Sequence, residues 1–424
     1  MTTQPQPLLI HNASQLLTLA GGPKRGHRLG DLQIIEDGAV LLNKGHIMAV
    51  GQSQALRKEF PDTETLDVNH RVVLPGFVDP HTHLVWAGDR AAEFEMRLEG
   101  KTYMQILAEG GGILSTVRAT RQVSQEELIR QSRERAWRAF MHGTTTVEVK
   151  TGYGLTFESE LNQLQATLML HEEGPLDIVP TFMPAHAVPP EYQGQTAAYV
   201  DLICTEMLPD LHRWWQEHQP ANPLPFVDVF CERGAFNLAQ SRKILTTAQS
   251  LGFPLKVHVD EFENLGGAPM AAELGASSAD HLVKTSIEDI RKLAHSNTVA
   301  VSLPGTPFGL NENEFTPAAA IIEAGGLLAL ASDINPGTSW CESMQFIIAL
   351  ACRKMGLTPA QAIVASTINA AAAIQRQDRI GSIEPGKQAD LLILDVGDYR
   401  HLGYRFGTNL VAYVVKRGRI FPIK

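Results

Sequence analysis

Two histidines, His81 and His83, close the run Leu74-Pro75-Gly76-Phe77-Val78-Asp79-Pro80-His81-Thr82-His83. On a strand, residues i and i+2 project to the same face, so this pair can present two imidazoles to one metal ion. Two packed or solvated histidines are the plainer reading of a lone H-x-H. His258 ends the apolar run of Pro254-Leu255-Lys256-Val257-His258 and is the natural third nitrogen ligand. Asp333 ends Leu327-Leu328-Ala329-Leu330-Ala331-Ser332-Asp333. A carboxylate there is costly to bury unless it is paired or metal-bound. A salt bridge or a helix N-cap would serve equally. Three histidines and one carboxylate can hold a metal and leave a position open for water. His281, in Ala279-Asp280-His281-Leu282, could be a further ligand, an electrostatic stabiliser or a proton carrier. Glu261, three residues beyond His258, could orient or deprotonate the attacking water. Glu232 and Lys150 also follow strand-like runs. Either could bridge a second metal, although each is as easily an ordinary strand-end charge.

Other residues at similar addresses suit a substrate pocket. Arg90 follows the H-x-H segment, and a guanidinium can grip a carboxylate with two parallel hydrogen bonds. Tyr153 sits in Lys150-Thr151-Gly152-Tyr153-Gly154, where the glycines permit a tight turn and close ligand approach. His186 ends Met183-Pro184-Ala185-His186, and Asn335, Gly337 and Thr338 follow Asp333. Gly110-Gly111-Gly112 lacks the Gly-Lys-Ser/Thr of a phosphate loop and does not read as nucleotide binding.

These residues need strands to position them. Near-continuous apolar runs lie at 72–78, 144–149, 178–183, 226–230, 254–259, 278–283, 298–303 and 326–332, as expected of strands covered on both faces. Helix signals separate them. Ser124-x-x-Glu127 opens a helix that ends at Gly143. Thr358, Pro359 and Gln361 open one running through Ala373. Eight strands alternating with helices over 71–375 predict an α/β fold of the (β/α)8 barrel type. An open doubly wound sheet is the competitor, and clustering of reactive residues just beyond the strand ends favours the barrel. The ends of the chain differ in character. Gln33–Leu42 and His46–Gly51 flank Asn43-Lys44-Gly45 like a hairpin, and strands are expected at Ala389–Asp395 and Val411–Val415. Residues 1–70 and 376–424 are therefore expected to build one small β-sandwich-like domain.

The chain has 424 residues, 36 Lys plus Arg against 46 Asp plus Glu, and a net charge of −10. That balance argues against a nucleic-acid partner. Hydrophobic residues make up 44%, enough for a large core and too many for a disordered chain. No apolar stretch is long enough to span a bilayer, so no membrane partner is expected. The opening MTTQPQPLLIHNASQ does not read as a signal peptide. Cys204, Cys231, Cys341 and Cys352 form no C-x-x-C pair and suit free thiols in a reducing, cytoplasmic setting. A homodimer would be ordinary.

With Leu74–His83 and Gly381–Asp395, the chain resembles the amidohydrolase superfamily. It is similar within it to the imidazolonepropionase family of histidine degradation. The more specific cues are Trp86-Ala87-Gly88-Asp89-Arg90 with Glu93-Phe94, Gly110 to Val117, Lys150 to Leu155, Ala185-His186-Ala187-Val188-Pro189, Ser302 to Thr306 and Ser332 to Gly337. The resemblance implies a metal-dependent barrel with one zinc or iron per chain held by His81, His83, His258 and Asp333. It implies hydrolysis of 4-imidazolone-5-propanoate to N-formimidoyl-L-glutamate. It implies substrate contacts from Arg90, Tyr153, His186, Glu261 and Thr338, product contacts from Asn335 and Gly337, and a weaker role for Tyr103 at the propionate end. Glu261 would help activate the water, His281 would orient it or steady the oxyanion, and Asp333 would shuttle a proton. Thr151 and Thr338 stand where serine is also expected, and Pro307 is a departure after Thr306. A purine or pyrimidine base deaminase on the same metal site is the alternative activity. A non-catalytic scaffold of the same fold is disfavoured by the four retained ligands.

Overall fold

The apolar runs in the middle of the chain have no polar face to offer water, so each must be covered by neighbours on both sides. They do this as one parallel sheet curled into a barrel. The computed structural model describes residues 6–101, 105–106 and 109–423. Its barrel strands are β1 (Phe77–Asp79), β2 (Thr144–Lys150), β3 (Asp177–Ala185), β4 (Phe226–Cys231), β5 (Lys256–Val259), β6 (Ser278–His281), β7 (Val299–Ser302) and β8 (Leu328–Leu330). They pair in sequence order, each parallel to the next. Helices lie in every connection, among them Gln125–Met141, Phe157–Glu173, Leu238–Ser250 and Ile287–Ala294. Ser124 accepts the Glu127 amide at the start of the first of these, as its sequence predicts.

Strands β8 and β1 share no ladder among the described residues. The chain beyond them closes the gap instead. The Ser332 amide donates to Asp79 Oδ1 at 3.0 Å, the Asp333 amide to the His81 carbonyl at 3.1 Å, and the His83 amide to the Ile334 carbonyl at 2.9 Å. On the other side, the Val78 amide donates to the Ser366 carbonyl at 3.0 Å. That contact explains a departure from expectation. The helix predicted from Thr358 through Ala373 begins with its capping box but splits into Pro359–Ala365 and Ile368–Ala373. Thr367 between them has φ −134° and ψ −97°, far from helical. The break turns the Ser366 carbonyl towards β1. It also lets the Asn369 side chain hold the Lys24 backbone and the Leu328 carbonyl.

Both ends of the chain build a second, mixed sheet. Its strand order is Arg419–Pro422, Val411–Lys416, Leu391–Leu394, Val72–Pro75, Leu8–Leu17, Ile34–Asn43, His46–Gln52, with Glu64–Asp67 also paired to Leu8–Leu17. This is one sheet whose two halves close on a shared core that includes Val40, Ile47, Ile393 and Val415. Lys44 and Gly45 turn the first hairpin with φ +50° and +82°, the two left-handed residues that a tight hairpin requires. The run 72–78, expected as a single strand, serves two sheets: Val72–Pro75 pairs with Leu391–Leu394, and Phe77–Asp79 opens the barrel. Gly76 is the pivot. Its amide reaches the Asp390 carbonyl at 3.0 Å, and the Thr145 side chain packs where a Cβ would point, 2.2 Å from Thr145 Oγ1. Across the junction Lys416 Nζ lies 2.9 Å from Asp177 and 2.6 Å from Asp390.

Gly76→Ala should therefore cost about 1–3 kcal/mol of stability, the usual scale for overpacking, read by urea denaturation. Thr145→Ala in the same chain should recover part of the loss. An alanine variant as stable as the parent would refute the pivot.

Candidate metal centre and active site

Glu148, Lys150, Asp228, Lys256 and Asp280 are all fully buried inside strands β2, β4, β5 and β6. In the parallel sheet these inward positions face one another under the C-terminal mouth of the barrel. Asp280 Oδ2 lies 2.7 Å from His81 Nδ1, and Asp228 Oδ1 lies 3.0 Å from His258 Nδ1. A carboxylate at Nδ1 fixes the proton there, so each ring presents a bare Nε2 lone pair to the barrel axis. His81 Nε2 has no hydrogen-bond partner, and His258 Nε2 faces His83 Nε2 at 3.4 Å. The three rings offer nitrogens that all lie within 4.8 Å of one another. Asp333 Oδ1 is 3.6 Å from His81 Nε2 and 3.8 Å from His83 Nε2. Converging lone pairs with a carboxylate beside them repel one another and suit a cation. The donor set fits zinc or another borderline transition metal.

Left-handed residues aim this set. His281 has φ +80° and Asp333 φ +51°, so the chain kinks as β6 and β8 end. Such conformations are costly for residues other than glycine and concentrate at functional sites. Burial holds the pKa of His81, His83 and His281 well below the ordinary histidine value, helped respectively by the nearby charges of Lys150, His186 and His258. Burial raises the Asp333 carboxyl to about 6 against the opposing Thr306 hydroxyl, which donates to it.

The centre opens into a pocket of about 190 Å³. Its walls bring together His83, Arg90, Tyr153, His186, His258, Glu261, His281, Asp333, Asn335, Gly337 and Thr338, while His81 lies beneath them. Glu261 Oε2 stands 3.6 Å from His281 Nε2. Burial pushes the Glu261 carboxyl well above the usual range, and the charges of Asp333 and Glu232 push the same way. His186 stacks on His83 with ring centroids 4.5 Å apart and 11° between planes. Its Nδ1 meets the Gly152 carbonyl at 3.1 Å, and burial and His258 lower its pKa to about 3, so the ring is neutral. Arg90 is aimed by Glu93, whose Oε2 takes both Nε and Nη2 at 2.8 Å. Asn335 is already engaged: Oδ1 accepts the Gly337 and Thr338 amides at 2.8 Å, and Nδ2 donates to the Asp333 carbonyl at 2.7 Å. Tyr103 lies outside the described residues.

The candidates for a second metal have other partners. Lys150 Nζ is 2.8 Å from both Glu148 and Asp228. Burial works against its charge, but Asp228 and Glu148 outweigh it and raise its pKa above the ordinary lysine value, so no lone pair is free for a metal. Glu232 Oε2 accepts the Phe262 and Glu263 amides at 2.9 and 3.3 Å, which fixes the loop carrying Glu261.

Several residues escaped the sequence reading. Asp228 and Asp280 orient the ligands, and Phe230, Phe262 and Ile113 line the pocket. Buried Glu160 collects the Gly152, Gly154 and Leu155 amides at 3.0, 2.7 and 2.6 Å and shapes the loop around Tyr153. A signal was present. Glu148 with Lys150, and Lys256 with His258, are i, i+2 pairs of polar residues inside apolar strands, which puts each pair on one inward face.

Residues 246–421 match the amidohydrolase family model. The chain is 52% identical to the imidazolonepropionase of Herpetosiphon aurantiacus over 97% of its own length and 96% of that protein's. It is 51% identical to that of Symbiobacterium thermophilum, over 98% and 97%. Among solved structures, an adenosine deaminase from Xanthomonas campestris with bound zinc shares the fold at a TM-score of 0.70. The identity is 20%, covering 98% of this chain and 93% of that one.

The purified protein is expected to carry about one transition metal per chain, counted by elemental analysis, and a strong chelator should abolish activity. Full activity in metal-free protein would overturn the reading of the histidine cluster.

Proposed function

The chain belongs to the imidazolonepropionase family of amidohydrolases, and from that premise we propose that it hydrolyses the ring C–N bond of 4-imidazolone-5-propanoate, giving N-formimidoyl-L-glutamate in histidine degradation. The observation that carries the substrate assignment is a guanidinium, Arg90, in the same pocket as the three-histidine cluster. A propionate-bearing ring gives that guanidinium a partner, whereas a nucleobase has no carboxylate for it. The base-deaminase alternative is not favoured, and lactam opening releases no free ammonia.

His81, His83, His258 and Asp333 would hold a single zinc or iron ion, which would supply Lewis-acid activation of water near neutral pH. Glu261 takes the proton from the attacking water as its oxygen joins the ring carbonyl carbon. His281, 3.6 Å from Glu261, orients that water or steadies the developing oxyanion. Asp333 takes the second proton of the attacking oxygen and delivers it to the ring nitrogen as the nitrogen's bond to carbon breaks, and Glu261 returns the first to solvent. Arg90 holds the propionate. Tyr153, His186 and Thr338 contact the ring. Gly337 and Asn335 help hold the product, Asn335 by shaping the turn. The four free cysteines support a reducing, cytoplasmic setting. A homodimer is the ordinary assembly for a chain of this kind.

Glu261→Gln should retain the metal and lower kcat by roughly 10²–10⁴-fold, the range for losing a general base. A near-normal kcat would move the base role to His281 or Asp333. Arg90→Ala should lower kcat/KM on imidazolone propionate by about 2–4 kcal/mol, with Arg90→Lys recovering only part of it. An analogue without the carboxylate should be a poor substrate for the parent enzyme and indifferent to the change. Equal losses for parent and Arg90→Ala on moving from the acid to the neutral analogue would remove Arg90 from carboxylate reading and leave the hydrolase assignment intact.

A further inference from the structure

Lys150 lines none of the pocket and meets none of the metal-facing nitrogens. Its ammonium lies between two carboxylates on different strands, 2.8 Å from Asp228 Oδ2 on β4 and 3.8 Å from Asp280 Oδ2 on β6. Those acids spend their other contacts on the histidines: Asp228 Oδ1 meets both the His258 amide and its Nδ1, and Asp280 Oδ2 meets His81 Nδ1. A third acid, Glu148, anchors the ammonium at 2.8 Å and takes the Thr181 hydroxyl and, at 3.3 Å, the Thr82 amide between the two ligating histidines. One ammonium thus ties down the orienting group of His258, that of His81, and the backbone joining His81 to His83.

We propose that Lys150 is the positioning residue of the metal centre, holding Asp228 and Asp280 so that His258 and His81 present their Nε2 atoms together. Lys256 Nζ, 3.6 Å from Asp280 Oδ2, shares that acid with Lys150.

This inference rests on the metal reading above, and the sign of one measurement separates positioning from mere proximity. Removing a positive charge near a cation site should tighten metal binding if Lys150 acts only through its field. If it positions the ligands through the acids, removal should weaken binding. Metal affinity is measured by chelator competition on the full-length protein, alongside the visible absorption of the cobalt(II)-substituted form. Lys150→Met should weaken metal binding by roughly 10–100-fold, the range for losing partners behind the ligands, and should alter the cobalt bands. Lys150→Arg should recover part of both. The double variant Lys150→Met/Asp228→Asn should lose no more than the worse single variant, because both act through one chain of contacts. If Lys150→Met does not fold, Lys150→Gln, which keeps a donor for one acid only, takes its place with the same expectation. Unchanged or tighter binding in the folded variant, unchanged cobalt bands, or additive losses in the double variant would overturn the proposal. A parent protein that binds no metal would instead overturn the metal reading itself.

Discussion

Everything at the mouth of this barrel depends on two buried carboxylates facing two imidazoles. Asp228 and Asp280 claim Nδ1 of His258 and His81, and that choice of tautomer leaves lone pairs, rather than N–H groups, pointing inward. Such an arrangement cannot stand by itself in an apolar interior. Each carboxylate needs a cation, and Lys150 and Lys256 are buried with them. Buried ion pairs seldom add net stability; their better-attested use is to impose one arrangement over others. The interior polar cluster is thus a positioning device that the surrounding core must offset. The barrel strands also bury the apolar side chains of Val257, Val229, Ala279, Leu328 and Leu330.

That cluster in turn restricts how the barrel can close. A three-residue β1 and a three-residue β8 leave the seam without a ladder. The seam is held by contacts that also place ligands: the Asp333 amide on the His81 carbonyl and the His83 amide on the Ile334 carbonyl. Seam closure and the placement of His81, His83 and Asp333 therefore share these hydrogen bonds. The broken helix at Ser366–Thr367 and the pivot at Gly76 act from the opposite side, one accepting from β1 and the other feeding it out of the terminal sheet.

The parts legible in the sequence are those whose signal is local. Eight apolar runs, a capped helix start and H-x-H at a strand end each report on a few neighbouring residues, and all have counterparts in the structure. The division of 72–78 between two sheets was not legible, because Gly76 carries no hydrophobic signal and its meaning comes from Thr145, almost seventy residues away. The split of the last helix depends likewise on a distant amide at Val78. At the site, Lys150 and Glu232 read equally as metal bridges or as ordinary strand-end charges, because position along a strand does not reveal which acid or amide lies opposite. Only the sheet register brings β2, β4 and β6 into one layer.

Substrate preference in an enzyme of this fold is set away from the barrel itself. An adenosine deaminase shares the architecture at low identity, so the barrel by itself does not decide the ligand. What differs must lie on the loops, and here the loop after β1 carries Arg90. Its guanidinium is half committed, since Glu93 takes Nε and Nη2. Glu93 is fixed by the Gly112 amide and the Ser115 hydroxyl, at 3.1 and 3.0 Å. The remaining Nη1 edge lies against Gly337, where a Cβ would sit 2.2 Å from it. Gly337 is therefore glycine because of Arg90: any side chain would drive the guanidinium off its mount. The glycine run at 110–112 and Gly337, far apart in sequence, thus both bear on the mounting of one guanidinium. A cation held in place in this way loses less entropy when it takes a partner.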